Sequence, residues 1–206
     1  MLSKIPSTPL TMVLVLAIIA ALSAALLAVT DSITAPVIEQ VQEEKQAKAV
    51  ETVLPETDNN PAQHPVVFED APDLIFFPAS KREKPVGVAV RTYTDNGFSG
   101  RFWIMVGFLP DGSIYDTLVL QHAETPGLGQ KMTKEKFKKQ FRDKNPKDFV
   151  LKVKKDGGDV DAITAATISS RAYCDAIERA YNAFIEHKNE LLTTNNAIGP
   201  AEEAQK

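Results

Sequence analysis

The chain opens with a stretch that shows no amphipathic rhythm: residues 10–29 are apolar or small and carry no charge. That is roughly the 20 residues needed to cross the hydrocarbon core of a bilayer, and Asp31 ends it. A cleaved signal peptide is the alternative, with Ser23-Ala24-Ala25 as a small-residue cleavage site. The apolar run continues past it through Leu26, Leu27 and Val29, which favours an uncleaved transmembrane helix over residues 10–30. Lys4 precedes the span, whereas Asp31, Glu39, Glu43 and Glu44 dominate the residues after it until Lys45. Counting basic residues places residues 1–9 in the cytoplasm and everything after Ser32 on the outer face of the membrane.

Residues 31–72 read as a stalk helix and a linker. Pro36 suits a first helical turn and Pro55 stops the run. Ile38, Val41, Lys45 and Lys48 share one helix face, a poor apolar stripe, so the expected element is a stalk helix, its N-terminal part solvated, lifting a domain off the membrane. Residues 56–72, with Asp58-Asn59-Asn60-Pro61 and further prolines, form a loop.

A change of rhythm marks a globular domain over residues 73–192. Residues 74–77 and 86–93 are short apolar or β-branched runs separated by a charged turn at 81–85, and Asp95-Asn96-Gly97 closes the second. Residues 100–109 and 113–121 flank Pro110-Asp111-Gly112 and predict a hairpin. Thr133 is placed to cap a short helix carrying Phe137 and Phe141, with the lysines of 131–147 on a solvated face. Residues 149–153 read as a strand. A final helix, ending near Leu192, buries Tyr173, Ile177, Ala180, Tyr181 and Phe184 at three- and four-residue steps. Residues 193–206 read as a disordered polar tail. The expected class is α+β: an antiparallel sheet with packed helices, preceded by one N-terminal transmembrane helix.

Charge and composition narrow the chemistry. A net charge of −4 gives no electrostatic footprint for nucleic acid. The single cysteine, Cys174, excludes an intrachain disulfide and any multi-cysteine zinc or iron–sulfur site built from this chain alone, and its helical position reads as packing. His64, His122 and His187 lack ligand-like spacing, so no metal site is expected.

What stands out is Asp161-Ala162-Ile163-Thr164-Ala165-Ala166-Thr167-Ile168-Ser169-Ser170, hydroxyls and small residues leading into the final helix. Thr164, Thr167 and Ser169 can cap that helix. The same arrangement offers free backbone N–H groups and the positive end of the helix dipole to a phosphate. A second stretch, Glu124-Thr125-Pro126-Gly127-Leu128-Gly129, is a turn whose glycines let backbone approach a flat ligand and whose glutamate is a polar handle.

The first segment resembles the flavinylation motif of the FMN-binding domain found in G subunits of Rnf complexes and C subunits of Na+-pumping NADH:quinone reductases. That motif runs approximately Asp-x-x-Ser/Thr-Gly-Ala-Thr-x-Ser/Thr-Ser, and Ala165 stands where it has glycine. The second segment matches that family's Glu-Thr-Pro-Gly-Leu-Gly motif at every position. The resemblance implies FMN attached covalently to Thr167 as a phosphoester, bordered by Thr164, Ala165, Ala166, Ile168, Ser169 and Ser170. It also places Glu124, Thr125, Gly127 and Leu128 near the flavin, the phosphate over the N–H groups of residues 168–171, and Arg171 as a counter-charge. With no base near Thr167 in sequence, it further implies a separate flavin transferase that recognises Asp161 and the small residues. The role implied is that of an electron-carrying subunit of a membrane complex linking ferredoxin and NAD+ to ion translocation, with no complete active site of its own. The C subunit of the quinone reductase, or a stand-alone exported flavoprotein, is a second reading. A membrane-anchored scaffold without flavin, suggested by Ala165, is a third.

Overall fold

The computed structural model describes residues 8–194, which divide between Glu44 and Lys45 into two units. Residues 1–7 of the expected cytoplasmic segment and 195–206 of the expected tail lie outside the described residues.

The first unit consists of the greater part of helix α1, Pro9–Thr52. Its apolar side chains are exposed on every face, the pattern of a helix made for lipid rather than for a protein core. Among the described residues it is the one helix long and apolar enough to cross a membrane. The expected break before a separate stalk helix is not there. Pro36 lies inside α1 and removes one backbone donor without ending the helix.

The second unit begins at Lys45 rather than near Asp73. The reason is packing. Ala49, Val50, Val53 and Leu54 are buried on the sheet, at a spacing that the lysines at 45 and 48 obscured in the sequence. The sheet is an antiparallel meander of β1 (Ile75–Lys81), β2 (Lys84–Thr94), β3 (Phe102–Phe108) and β4 (Ile114–Gln121), in that spatial order. Arg82 and Glu83 both take positive φ, 52° and 62°, giving the paired left-handed turn that suits a two-residue hairpin. The Pro110-Asp111-Gly112 turn also forms as expected: Gly112 has φ 95°, and the Ser113 N–H donates to the Asp111 carboxylate at 2.8 Å.

Strand alternation divides the core between the two faces of the sheet. Phe76, Val88, Val90, Ile104, Val106 and Phe108 face helix α3 (Thr167–Thr194), which contributes Tyr173, Ile177, Ala180 and Phe184. Phe77, Ala79, Ala89 and Met105 face the end of α1. There the backbones come close: a Cβ on Gly107 would lie 1.6 Å from the Val53 carbonyl oxygen.

Some local expectations change. Helix α2 is only Glu135–Lys138, and Thr133 does not cap it; its hydroxyl donates to the Gln130 carbonyl at 3.0 Å. Lys138 is buried rather than solvated, and donates to the Thr117 carbonyl at 2.9 Å. Residues 149–153 make no strand. Leu151 and Val153 do point inward, but the backbone pairs with the following loop, Val160 N–H donating to Lys152 O at 3.0 Å.

The Gly107 contact generates a prediction. Gly107→Ala should lower unfolding stability by about 1–3 kcal/mol, measured by urea denaturation of the purified chain. Wild-type stability would show that the Val53 carbonyl does not press on β3.

Candidate functional site

The segment before α3 is locked by a small set of hydrogen bonds. The Ala166 N–H donates to the Ile163 carbonyl at 2.9 Å, closing a turn through Thr164 and Ala165. Ala165 sits at φ 61°. Alanine therefore adopts the left-handed conformation that glycine enters freely, at a cost of about 1–2 kcal/mol. Ser170 fixes the turn from the helix side: its hydroxyl accepts from Ile163 N–H at 2.9 Å and donates to the Ala166 carbonyl at 2.9 Å. Gln140 holds the entry, its side-chain oxygen accepting from the Asp161 N–H at 2.8 Å. The Asp161 carboxylate is exposed and pairs with Lys154.

These constraints make Thr167 the first residue of α3. Ser170 N–H makes a helical bond to the Ala166 carbonyl at 3.1 Å, so the N–H groups of Thr167, Ile168 and Ser169 precede the helical ladder and have no partner within it. This set starts one residue earlier than expected. Arg171 is also committed elsewhere, in a two-pronged ion pair with Asp156 at 2.6 and 2.8 Å. Its hydrogen bonds and charge hold the Asp156 carboxyl below the ordinary range. Arg171 is thus paired with Asp156 and does not line the cleft.

The second motif meets the first at Glu124, which is 4% exposed. One carboxylate oxygen accepts from the Ser169 hydroxyl at 2.8 Å and the other from the Ser99 N–H at 3.2 Å. Gly129 closes this junction, since a Cβ there would stand 2.2 Å from the Glu124 carboxylate and 2.6 Å from the Ser169 hydroxyl. Motifs far apart in sequence therefore share one hydrogen bond.

Between them opens a cleft of about 310 Å³, lined by Glu124, Thr125, Leu128, Gly129 and residues 165–169, with Phe98 at its edge. Of the residues expected at the site, Thr164, Ser170 and Gly127 do not line it; Ser170 acts from behind, through the turn. Phe98 and Gly129 were not among them. Phe98 is 66% exposed, in the turn between β2 and β3; a bulky apolar residue between Gly97 and Gly100 was the available signal. Among the hydroxyls of the cleft, that of Ser169 is bonded to Glu124, whereas those of Thr125 and Thr167 make no hydrogen bond among the described residues. Cys174 lies behind the site, its thiol pushed up to about 12 by burial, and serves as packing.

Comparison with known proteins places this geometry. The model of the FMN-binding domain matches residues 97–182, which contain both motifs, and the model of the RnfG N-terminal region matches residues 10–53. The G subunit of the ion-translocating oxidoreductase complex of Erwinia tasmaniensis is 40% identical over 130 residues, covering 61% of each chain. That of Shewanella piezotolerans is 31% identical over 169 residues, covering 76% of this chain and 80% of the relative. The shared stretch thus spans less than two thirds of the Erwinia protein and four fifths of the Shewanella one. A crystal structure of the C subunit of the Na+-translocating NADH-quinone reductase from Parabacteroides distasonis superposes with a TM-score of 0.53 at 19% identity, covering 72% of this chain and 94% of that one. At that identity the likeness concerns the fold, and it agrees with the expected α+β class. With its N-terminal helix and its motif-bearing domain both matched, the chain belongs to the family of G subunits of ion-translocating oxidoreductase complexes.

Proposed function

We propose that the chain is the flavoprotein subunit of a membrane complex that couples electron transfer between ferredoxin and NAD+ to ion translocation, with FMN bound covalently to Thr167 through a phosphoester. The observation that carries the reading is the Thr167 hydroxyl. It lies on the cleft wall, free of internal hydrogen bonds among the described residues, at the first position of a long helix. The N–H groups of Thr167, Ile168 and Ser169 suit the phosphate of such a group. Phe98, Leu128 and Ile168, all exposed at the cleft, suit the apolar edge of a flavin ring. Bound FMN supplies the redox chemistry, and the protein supplies placement and electrostatics.

No residue among those described stands ready to deprotonate Thr167. The hydroxyls beside it are engaged with Glu124 and with the Ile163–Ala166 turn. Glu124 itself is tied to Ser99 and Ser169. Attachment is therefore assigned to a separate transferase that would move the FMN phosphoryl of FAD to the Thr167 oxygen, breaking the pyrophosphate and releasing AMP, and that acts on the exposed Thr164-Ala165 turn. The scaffold reading rested on Ala165 in place of glycine. Ala165 nonetheless takes the left-handed conformation, and the cleft behind it is formed, so that reading loses its support.

On this proposal the first unit anchors the protein by a single span, with the flavin domain on the outer face of the cytoplasmic membrane. The other subunits of the complex are its electron-transfer partners.

Each part of the proposal has its test. Thr167→Ala, coproduced with a flavin transferase, should lose the ultraviolet fluorescence of the denatured band and the mass that one ester-linked FMN adds to the chain. A band as bright as wild type would overturn the attachment site. Ala165→Gly should relieve the left-handed cost and stabilise the domain by up to about 1 kcal/mol, read by urea denaturation, with flavinylation retained. A periplasmically active reporter fused to the C-terminus should be functional. Activity from a cytoplasmic reporter instead would reverse the orientation.

A further inference from the structure

Glu124 is a buried carboxylate whose packing does more than complete a loop. Isolated charges are costly to bury, and no lysine or arginine pairs with this one among the described residues. It is held instead by the Ser99 N–H and the Ser169 hydroxyl, beside the first turn of α3, whose dipole favours a negative charge. Two glycines make room for it. A Cβ on Gly97 would come within 2.9 Å of one carboxylate oxygen, and a Cβ on Gly129 within 2.2 Å of the other. The β2–β3 turn with Phe98, the 124–129 loop and the start of α3 therefore converge on a single acidic side chain, which itself lines the cleft.

We propose that Glu124 is a positioning residue with two linked effects: it clamps the Phe98 turn to the first turn of α3, and its fixed negative charge lowers the reduction potential of the group held in the cleft. The second effect rests on the flavoprotein reading above. A carboxylate facing a redox group in a partly desolvated site opposes the arrival of an electron, because the repulsion is weakly screened there. Its hydrogen bonds are charge-assisted, so the clamp and the charge come from the same atoms.

Two variants separate the effects. Glu124→Gln removes the charge and keeps the side-chain length. Glu124→Asp keeps the charge and withdraws the oxygens from Ser99 and Ser169. The full chain, flavinylated by coproduction with a transferase, is titrated spectroelectrochemically. The unmodified chain is followed by amide hydrogen exchange at residues 97–100 and 167–169. Glu124→Gln should shift the midpoint potential to more positive values, while Glu124→Asp leaves it near wild type. Both should speed exchange at 97–100 by about tenfold, the equivalent of one charge-assisted hydrogen bond. An unchanged potential in Glu124→Gln, or an equal shift in both variants, overturns the tuning role. Unchanged exchange in both overturns the clamp. If the wild-type chain takes up no flavin, the functional reading and the tuning role fall together, and exchange still decides the clamp.

Discussion

The hydrogen bond from the Ser169 hydroxyl to Glu124 is a direct side-chain link between two segments far apart in sequence. Glu124 ends the path out of β4, and Ser169 belongs to the first turn of α3, so the bond fixes where a sheet edge and a helix start come together. Helix α3 packs through Tyr173, Ile177, Ala180 and Phe184, which orients its axis, but apolar burial is non-directional. A side-chain hydrogen bond adds the direction that apolar packing lacks. The sheet and helix provide the rigid frame, and one polar contact sets the register of the site within it.

The other face of the sheet answers a different need. A four-stranded meander with one covered face exposes apolar side chains such as Phe77, Ala89 and Met105 on the other. The last turns of α1 cover them, and the glycine at 107 lets that helix end approach to backbone contact. Residues 49–54 thus form an integral layer of the second unit, to which they belong. In the sequence this was hidden. Lysines at 45 and 48 interrupt the stripe, and the apolar pairs 49–50 and 53–54 occupy barely two turns, too short for periodicity to identify.

Most of the sheet was legible because its turns carry chemistry that sequence displays: Pro110-Asp111-Gly112 has the glycine that its positive φ demands. The sequence concealed features of two kinds. Residues 149–153 have strand composition, yet they bond to residues 158–160 rather than to the sheet, a tertiary choice that local pattern does not encode. Arg171 and the Ile168–Arg171 amides looked available because they come directly after the motif. The helix begins one residue earlier than that reading assumed, and Asp156 reaches the guanidinium from another loop. Glu124 was legible as a polar residue at a strand end, but its partners were not: Ser99 donates through its backbone, which nearly every residue type could supply.

Ala165 shows how a motif can lose a residue and keep its geometry. The turn requires a left-handed conformation, which glycine supplies at no steric cost. Alanine can take it only when the neighbours over-determine the backbone. Here they do. The Ala166–Ile163 bond closes the turn from inside, Ser170 grips both of its ends, and Gln140 holds the chain at Asp161. Alanine at 165 also restricts the unfolded chain more than glycine does, which offsets part of the strain. The constraint on this position is thus its φ rather than its identity, and it is met by hydrogen bonds from residues outside the turn. Because those same bonds place Thr167 at the start of the helix, the strain at Ala165 and the position of Thr167 on the cleft wall are consequences of one arrangement.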